Sequence, residues 1–237
     1  MVTVVKLNTG NEPHSTLFSE KKTVFELKIH RIKPEVMSTY LSEEQEFVKL
    51  MREKISHVEL IGSWTVDIGD QDEVLSLWRY KGGYPALDAS KEIYRTDKDF
   101  LDFRRNRNKM LRFRRNEILL GFNFWPKLTQ RTGCNIYDIR SYFLKPGTIA
   151  EWGANWQKGI QFRQYEDEPV HGFFTNIGDM FQVHHIFAYK DLDSRNEARA
   201  HAWQHPGWVD CVSYTVPLIK SAKCRICVPT PFSTILV

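Results

Sequence analysis

Apolar Phe25, Leu27 and Ile29 alternate with polar Glu26, Lys28 and His30, the two-residue period of a strand with one buried face. The Lys33-Pro34 pair ends it, because proline cannot donate to a ladder. Beyond Pro34 the spacing lengthens: Tyr40, Phe47, Leu50, Met51 and Ile55 recur at intervals near three and four residues, which predicts a helix. Two short strands follow in "LIGSWTVDIGDQDEVLSLWRY", with Ile68-Gly69-Asp70 supplying turn chemistry between them. A second helix, with interruptions, is expected from Ala86 through Arg114, and "EILLGFNFW" closes the unit as a strand.

The same series then returns. At an offset of 112, Phe25 matches Tyr137, Leu27 matches Ile139, Ile32 matches Leu144, and Lys33-Pro34 matches Lys145-Pro146. At an offset of 109, Ile68-Gly69-Asp70 matches Ile177-Gly178-Asp179 and "LWRYK" (77–81) matches "IFAYK" (186–190). A helix carrying Trp152, Trp156, Ile160 and Phe162, two strands in "VHGFFTNIGDMFQVHHIFAY", a helix from Ser194 to about Trp203 and a closing strand in "YTVPLIKSAKCRICVP" complete the second unit. The order β-α-β-β-α-β is the split plan of the ferredoxin-like fold. Helices cover one face of such a sheet and leave the other bare, so two bare faces must meet. The expectation is an α+β chain of two tandem ferredoxin-like repeats, 24–131 and 134–237, joined in the dimeric α/β-barrel manner and open to homodimerisation. Trp152 and Trp156 are expected in an interface, and residues 1–23 form a poorly ordered lead-in.

Composition narrows the class. The 237 residues are 42% hydrophobic and 26% charged, with no run approaching eighteen apolar residues, so no transmembrane helix is written in them. The net charge of +4 is uneven: residues 1–133 hold 23 Lys/Arg against 19 Asp/Glu, and residues 134–237 hold 10 against 10. Cys134, Cys211, Cys224 and Cys227 make no disulfide framework in a chain this long. Cys224 and Cys227 have the CxxC spacing, but on a strand they point to opposite faces and share no ligand. No metal site and no cofactor is expected. Residues 1–22 lack the Arg-rich character of a transit peptide and the apolar core of a secretory signal.

With "HSTLFSEKK" (14–22), "LWRYKGGYPALD" (77–88), "FRRNRNKMLRFRRN" (103–116), "NIYDIRSYFLKPGTIAEWGANW" (135–156) and "VHHIFAYKDLDSRNEAR" (183–199), the chain resembles the NipSnap family from about residue 14 to its end, most specifically in the second repeat. The resemblance implies tandem domains of the dimeric α/β-barrel class and mitochondrial residence. It also implies a role in mitophagy and mitochondrial quality control, in which the protein recruits autophagy receptors and the ubiquitin-like proteins of the autophagosome. Family members carry a basic N-terminal targeting segment that this chain does not show, and a chain lacking one would stay in the cytoplasm. The expected function is therefore a non-enzymatic mitochondrial interaction protein, with other mitochondrial proteins among its partners.

Three sets of residues could carry chemistry or binding. His184 and His185 point to opposite faces of one strand, His185 with Val183 and Phe187, His184 with Ile186 and Ala188. One of them faces the cavity between the sheets. Other families of this barrel plan use such a residue for haem binding or cofactor-free oxygenation, so the rival reading is a small-molecule-binding protein or enzyme using the cavity near His185. The plainer reading is a hydrogen-bonded core histidine, and the first copy has Leu75 and Ser76 at those places. Second, Arg104, Arg105, Arg107, Arg112, Arg114 and Arg115, with Lys109, interleave with Phe103, Met110, Leu111 and Phe113. That amphipathic stretch suits anionic phospholipid or an acidic partner, or is a solvated helix face paired with Asp97, Asp99, Asp102 and Glu117. Nucleic acid is not indicated. Third, a ligand of an autophagy modifier adds to a sheet edge with an aromatic and an aliphatic anchor three positions apart. Phe47 and Leu50 fit on the first helix, where a core role is expected of Phe47; Tyr84 and Leu87 fit in "GGYPAL", expected as a loop.

Overall fold

The structure is a computed structural model, and it describes residues 18–19, 22–133, 135–166 and 168–235. Most of the expected lead-in, and Cys134, lie outside these.

Each half begins with the predicted strand, β1 (Thr23–Ile32) and β5 (Ile136–Leu144), and continues into a helix, α1 (Met37–Lys54) and α4 (Ile149–Gly159). The hairpins are β2 (Val58–Ile68) with β3 (Glu73–Lys81), and β6 (Pro169–Ile177) with β7 (Gln182–Tyr189). Gly69 and Gly178 turn them at φ of 130° and 123°, values that a side chain rarely tolerates. Two helices follow in each half, α2 (Gly83–Thr96) and α3 (Lys98–Met110), then α5 (Leu192–Trp203) and α6 (Pro206–Thr215). The closing strands are β4 (Leu111–Gly121) and β8 (Ile219–Pro229).

The strands run β1-β3-β2-β8-β5-β7-β6-β4 in a closed barrel, antiparallel throughout. The two halves seal where β2 pairs with β8 and β4 with β6, so among the described residues no sheet edge is left unpaired. Inward-facing Phe25, Leu27, Ile29, Trp64, Leu75, Leu77, Leu119, Tyr137, Ile139, Phe173 and Ile186 form one buried cluster that fills the barrel. A second cluster lies between the barrel's outer face and the helices. Leu128, from the segment joining the halves, and Ile235 pack against the inner cluster.

Three expectations are corrected here. The single helix expected from Ala86 to Arg114 is two helices and a strand. Asp97 accepts hydrogen bonds from the Asp99 and Phe100 amides at 2.9 and 3.3 Å and restarts the helix. After Met110 the chain is a strand, because β4 pairs with β1 from Leu111↔Ile32 to Leu119↔Phe25, and tertiary pairing outweighs local propensity. Next, Tyr84 is not in a loop. Helix α2 already begins at Gly83, entered through left-handed Gly82, and Pro85 is tolerated because the first turn of a helix needs no intrahelical N–H bond. Finally, Trp152 and Trp156 are not on a face open to a second chain: both are side chains of α4 buried within this chain, in the layer between helices and barrel.

Candidate functional site

The two histidines of β7 part as the strand period requires, and the one that faces the barrel interior is His184, not the His185 of the rival reading. His185 belongs with Val183 and Phe187 under the helices, and His184 shares the inner face with Ile186 and Ala188. The barrel-cavity reading near His185 is thereby corrected. The His185 ring is enclosed by Trp156 at 4.3 Å, Trp125 at 4.6 Å, Trp152 at 5.0 Å and Tyr142 at 5.6 Å. Neither ring nitrogen has a hydrogen-bond partner among the described residues. Burial, with Arg140, Arg163 and His184 adding to it, pushes its pKa well below the ordinary value. A neutral imidazole keeps one N–H and one lone pair, but here the aromatic rings wall both off from any substrate.

His184 instead anchors a polar network inside the barrel. Its Nε2 donates to Glu117 Oε2 at 2.7 Å, which leaves Nδ1 to accept the Ser141 hydroxyl at 2.9 Å. Arg225 Nη1 donates to the same hydroxyl oxygen at 3.2 Å and its Nε lies 3.4 Å from Glu73. Thr175 adds a hydrogen bond to Glu117 at 3.2 Å. Burial alone would raise the Glu117 carboxyl, but His184, Arg115 and Thr175 outweigh it and hold the pKa below the carboxylate norm. Glu117 pairs across from Leu27, and Arg225 across from Ile139. Since Leu27 and Ile139 are repeat equivalents, the acid and the base occupy the same place in the two halves.

Serine, histidine and carboxylate in line is an arrangement used for nucleophilic catalysis. Here every member is buried, and Ser141 is held from both sides. The geometry ties β4, β5, β7 and β8 together across the barrel. A sequence signal existed and was overlooked: Glu117, Glu73 and Arg225 are charges at positions in phase with the apolar inner face.

The arginine stretch divides. Arg104, Arg107, Arg114 and Arg115 line a pocket of about 380 Å³ between the outer face of β1 and β4 and the helices α2 and α3. Lys28, Lys91 and Arg95 join them there, brought from positions 9 to 76 residues before Arg104 in the chain, which is why sequence reading missed them. Arg105 pairs with Asp102 at 3.0 Å and Arg112 lies 3.9 Å from Asp72, and neither lines the pocket. The apolar side of the supposed amphipathic helix is already used, since Phe103 and Met110 are buried in the chain's own core.

Of the modifier-ligand candidates, Phe47 stacks on Phe103 at 4.5 Å and is buried, and Leu50 packs against the same cluster. Leu87 is only 3% exposed. The half-buried Tyr84 donates its hydroxyl hydrogen to Asn176 of β6, in the other half.

Comparison with known proteins agrees with this architecture. The chain has the fold of a Lactobacillus acidophilus protein described as a candidate monooxygenase, at a TM-score of 0.65, 15% identity and coverage of 88% of this chain and 94% of that one. At such identity the likeness speaks of fold alone. Closer in sequence are Protein NipSnap of Drosophila melanogaster, 44% identical over 97% of this chain and 85% of its own, and human Protein NipSnap homolog 2, 43% identical over 95% and 80%. The NIPSNAP profile matches residues 25–126 and 137–234, one match in each half of the barrel, and on these grounds the chain belongs to the NipSnap family.

Proposed function

We propose that this chain is a non-enzymatic interaction protein of mitochondrial quality control, whose outer surface engages autophagy receptors and autophagosomal ubiquitin-like proteins. The observation that supports a scaffold over an enzyme is the barrel interior. It is occupied by the chain's own side chains, with the Glu117–His184–Ser141–Arg225 network at one level and Phe25, Trp64, Tyr137 and Phe173 at others. A pocket that serves chemistry leaves room for a reacting molecule beside its polar groups. On the same reading the two halves are tandem ferredoxin-like repeats, the mitochondrion is where the protein works, and a homo-oligomer, other mitochondrial proteins and anionic phospholipid are further partners.

The test is a pull-down of the purified chain with autophagosomal ubiquitin-like proteins and their receptors, beside titration with haem and with small aromatic ligands. The expected result is receptor or modifier binding that His185→Phe leaves unchanged. A saturable haem or aromatic complex that disappears in that variant, with no binding to the autophagy proteins, would reverse the reading toward a ligand-binding protein or enzyme.

A further inference from the structure

The pocket on the helical side of β1 and β4 is lined by seven basic side chains and one carboxylate, Glu26. Glu26 is already engaged: Tyr80 donates to it at 2.6 Å, Asn116 bonds its other oxygen, and Lys28 lies 3.7 Å away. Arg115 is taken by Asp179 at 2.8 Å. Among the described residues, no carboxylate forms an ion pair with Lys91, Arg95, Arg104, Arg107 or Arg114. Arg107 forms the floor. It is 3% exposed, with Nη1 on the Tyr94 hydroxyl at 3.1 Å, Nη2 on Asn108 at 3.2 Å, and a buried Nε that has no partner. Holding unpaired like charges together is unfavourable unless something of opposite charge joins them. The field is felt nearby, where burial first and then Arg107, Lys28 and Arg114 press the His30 pKa well below its ordinary value.

We infer that this pocket is a binding site for a small phosphoryl-bearing polyanion of about the size of pyrophosphate or a sugar phosphate, free or as a lipid headgroup. The volume of about 380 Å³ is at the lower end for ligand sites. The cations come from four directions: Lys28 from β1, Lys91 and Arg95 from α2, Arg104 and Arg107 from α3, and Arg114 from β4. A tetrahedral phosphoryl group offers oxygens to all of them, whereas a planar carboxylate offers one edge, and the guanidinium fork suits the former at several approaches. The second half does not repeat the site. At the offset of 112, Lys28 is replaced by Arg140, which is committed to Asp138 at 3.5 Å and Tyr142 at 2.6 Å.

Inorganic pyrophosphate is the probe, followed by calorimetry and thermal unfolding of the whole chain. The expected result is a saturable one-to-one complex that raises the melting temperature. Lys91→Gln with Arg104→Gln, both on the pocket wall, should weaken it at least about tenfold. Arg105→Gln with Arg112→Gln, outside the pocket, should leave it unchanged. Citrate at matched ionic strength should bind at least about tenfold more weakly, and equal binding would overturn the phosphoryl assignment. Sedimentation with cardiolipin vesicles separates the two sources: binding that pyrophosphate competes away marks a headgroup, and its absence beside tight pyrophosphate binding marks a soluble ligand. The site is refuted if pyrophosphate gives no saturable response, or if the two double variants lose it equally.

Discussion

His184 and His185 are neighbours in sequence with opposite burdens. His184 satisfies Glu117 and Ser141, so His184→Phe would strand a buried carboxylate and is expected to cost about 3–5 kcal/mol. His185 satisfies nothing, since both its nitrogens are buried without partners. Replacing such a ring by an apolar one removes a desolvation penalty, so His185→Phe should be neutral or stabilising by up to about 1 kcal/mol. Urea unfolding of the two variants checks this, and a His185→Phe protein as unstable as the His184→Phe one would mean that its ring has a bond the structure does not contain.

At the scale of elements, helix α2 decides what "GGYPAL" can do. Leu87 is packed in the outer cluster beside Tyr84, so the segment cannot leave as a strand without unwinding the start of the helix. Tyr84→Ala with Leu87→Ala should therefore lower stability by about 3 kcal/mol or more, as Phe47→Ala should, because both empty core sites. A double variant with wild-type stability in chemical denaturation would return the segment to the surface. The hairpins offer a second case. Gly178 has φ of 123°, and a Cβ there would meet Glu117 Cγ at 3.0 Å, so Gly178→Ala should destabilise by more than about 1 kcal/mol. Thermal unfolding of that variant beside wild type measures it.

For the molecule as a whole, three histidines couple stability to pH. Burial lowers the folded pKa of His30 and His185 well below 6.5, and that of His171 to about 4 against the hydrogen bond its Nδ1 donates to the Pro126 carbonyl, which works the other way. The unfolded chain takes up these protons near pH 6.5 and the folded chain does not. Their contribution is therefore full above about pH 7 and lost progressively as pH falls toward 4. Glu44, whose carboxyl burial raises beside His30, opposes this only as it protonates. The urea midpoint should fall steadily between pH 7 and pH 5. His171→Asn should flatten that slope, and a midpoint unchanged over the window would show that the three rings are protonated in the folded state.

The sequence by itself determined the repeat, the order of the strands in each half, the helix after each first strand and the turns at Gly69 and Gly178, because these rest on local periodicity and on backbone angles that neighbouring residues dictate; that two helices, not one, precede each closing strand was not legible in it. It also separated His184 from His185, since a strand's period is two. Which of them turned inward was decided only by closure of the barrel, because alternation has a phase that one strand alone cannot fix. The end of α3 at Met110 likewise came from β1, whose ladder extended β4 through residues that locally read as helix. Lys28, Lys91 and Arg95 reach Arg104 only once α2 and α3 have packed over β1 and β4. Charges far apart in the chain become neighbours through the burial of Phe47, Phe100 and Phe103 beneath them, and no spacing rule along the sequence encodes that distance.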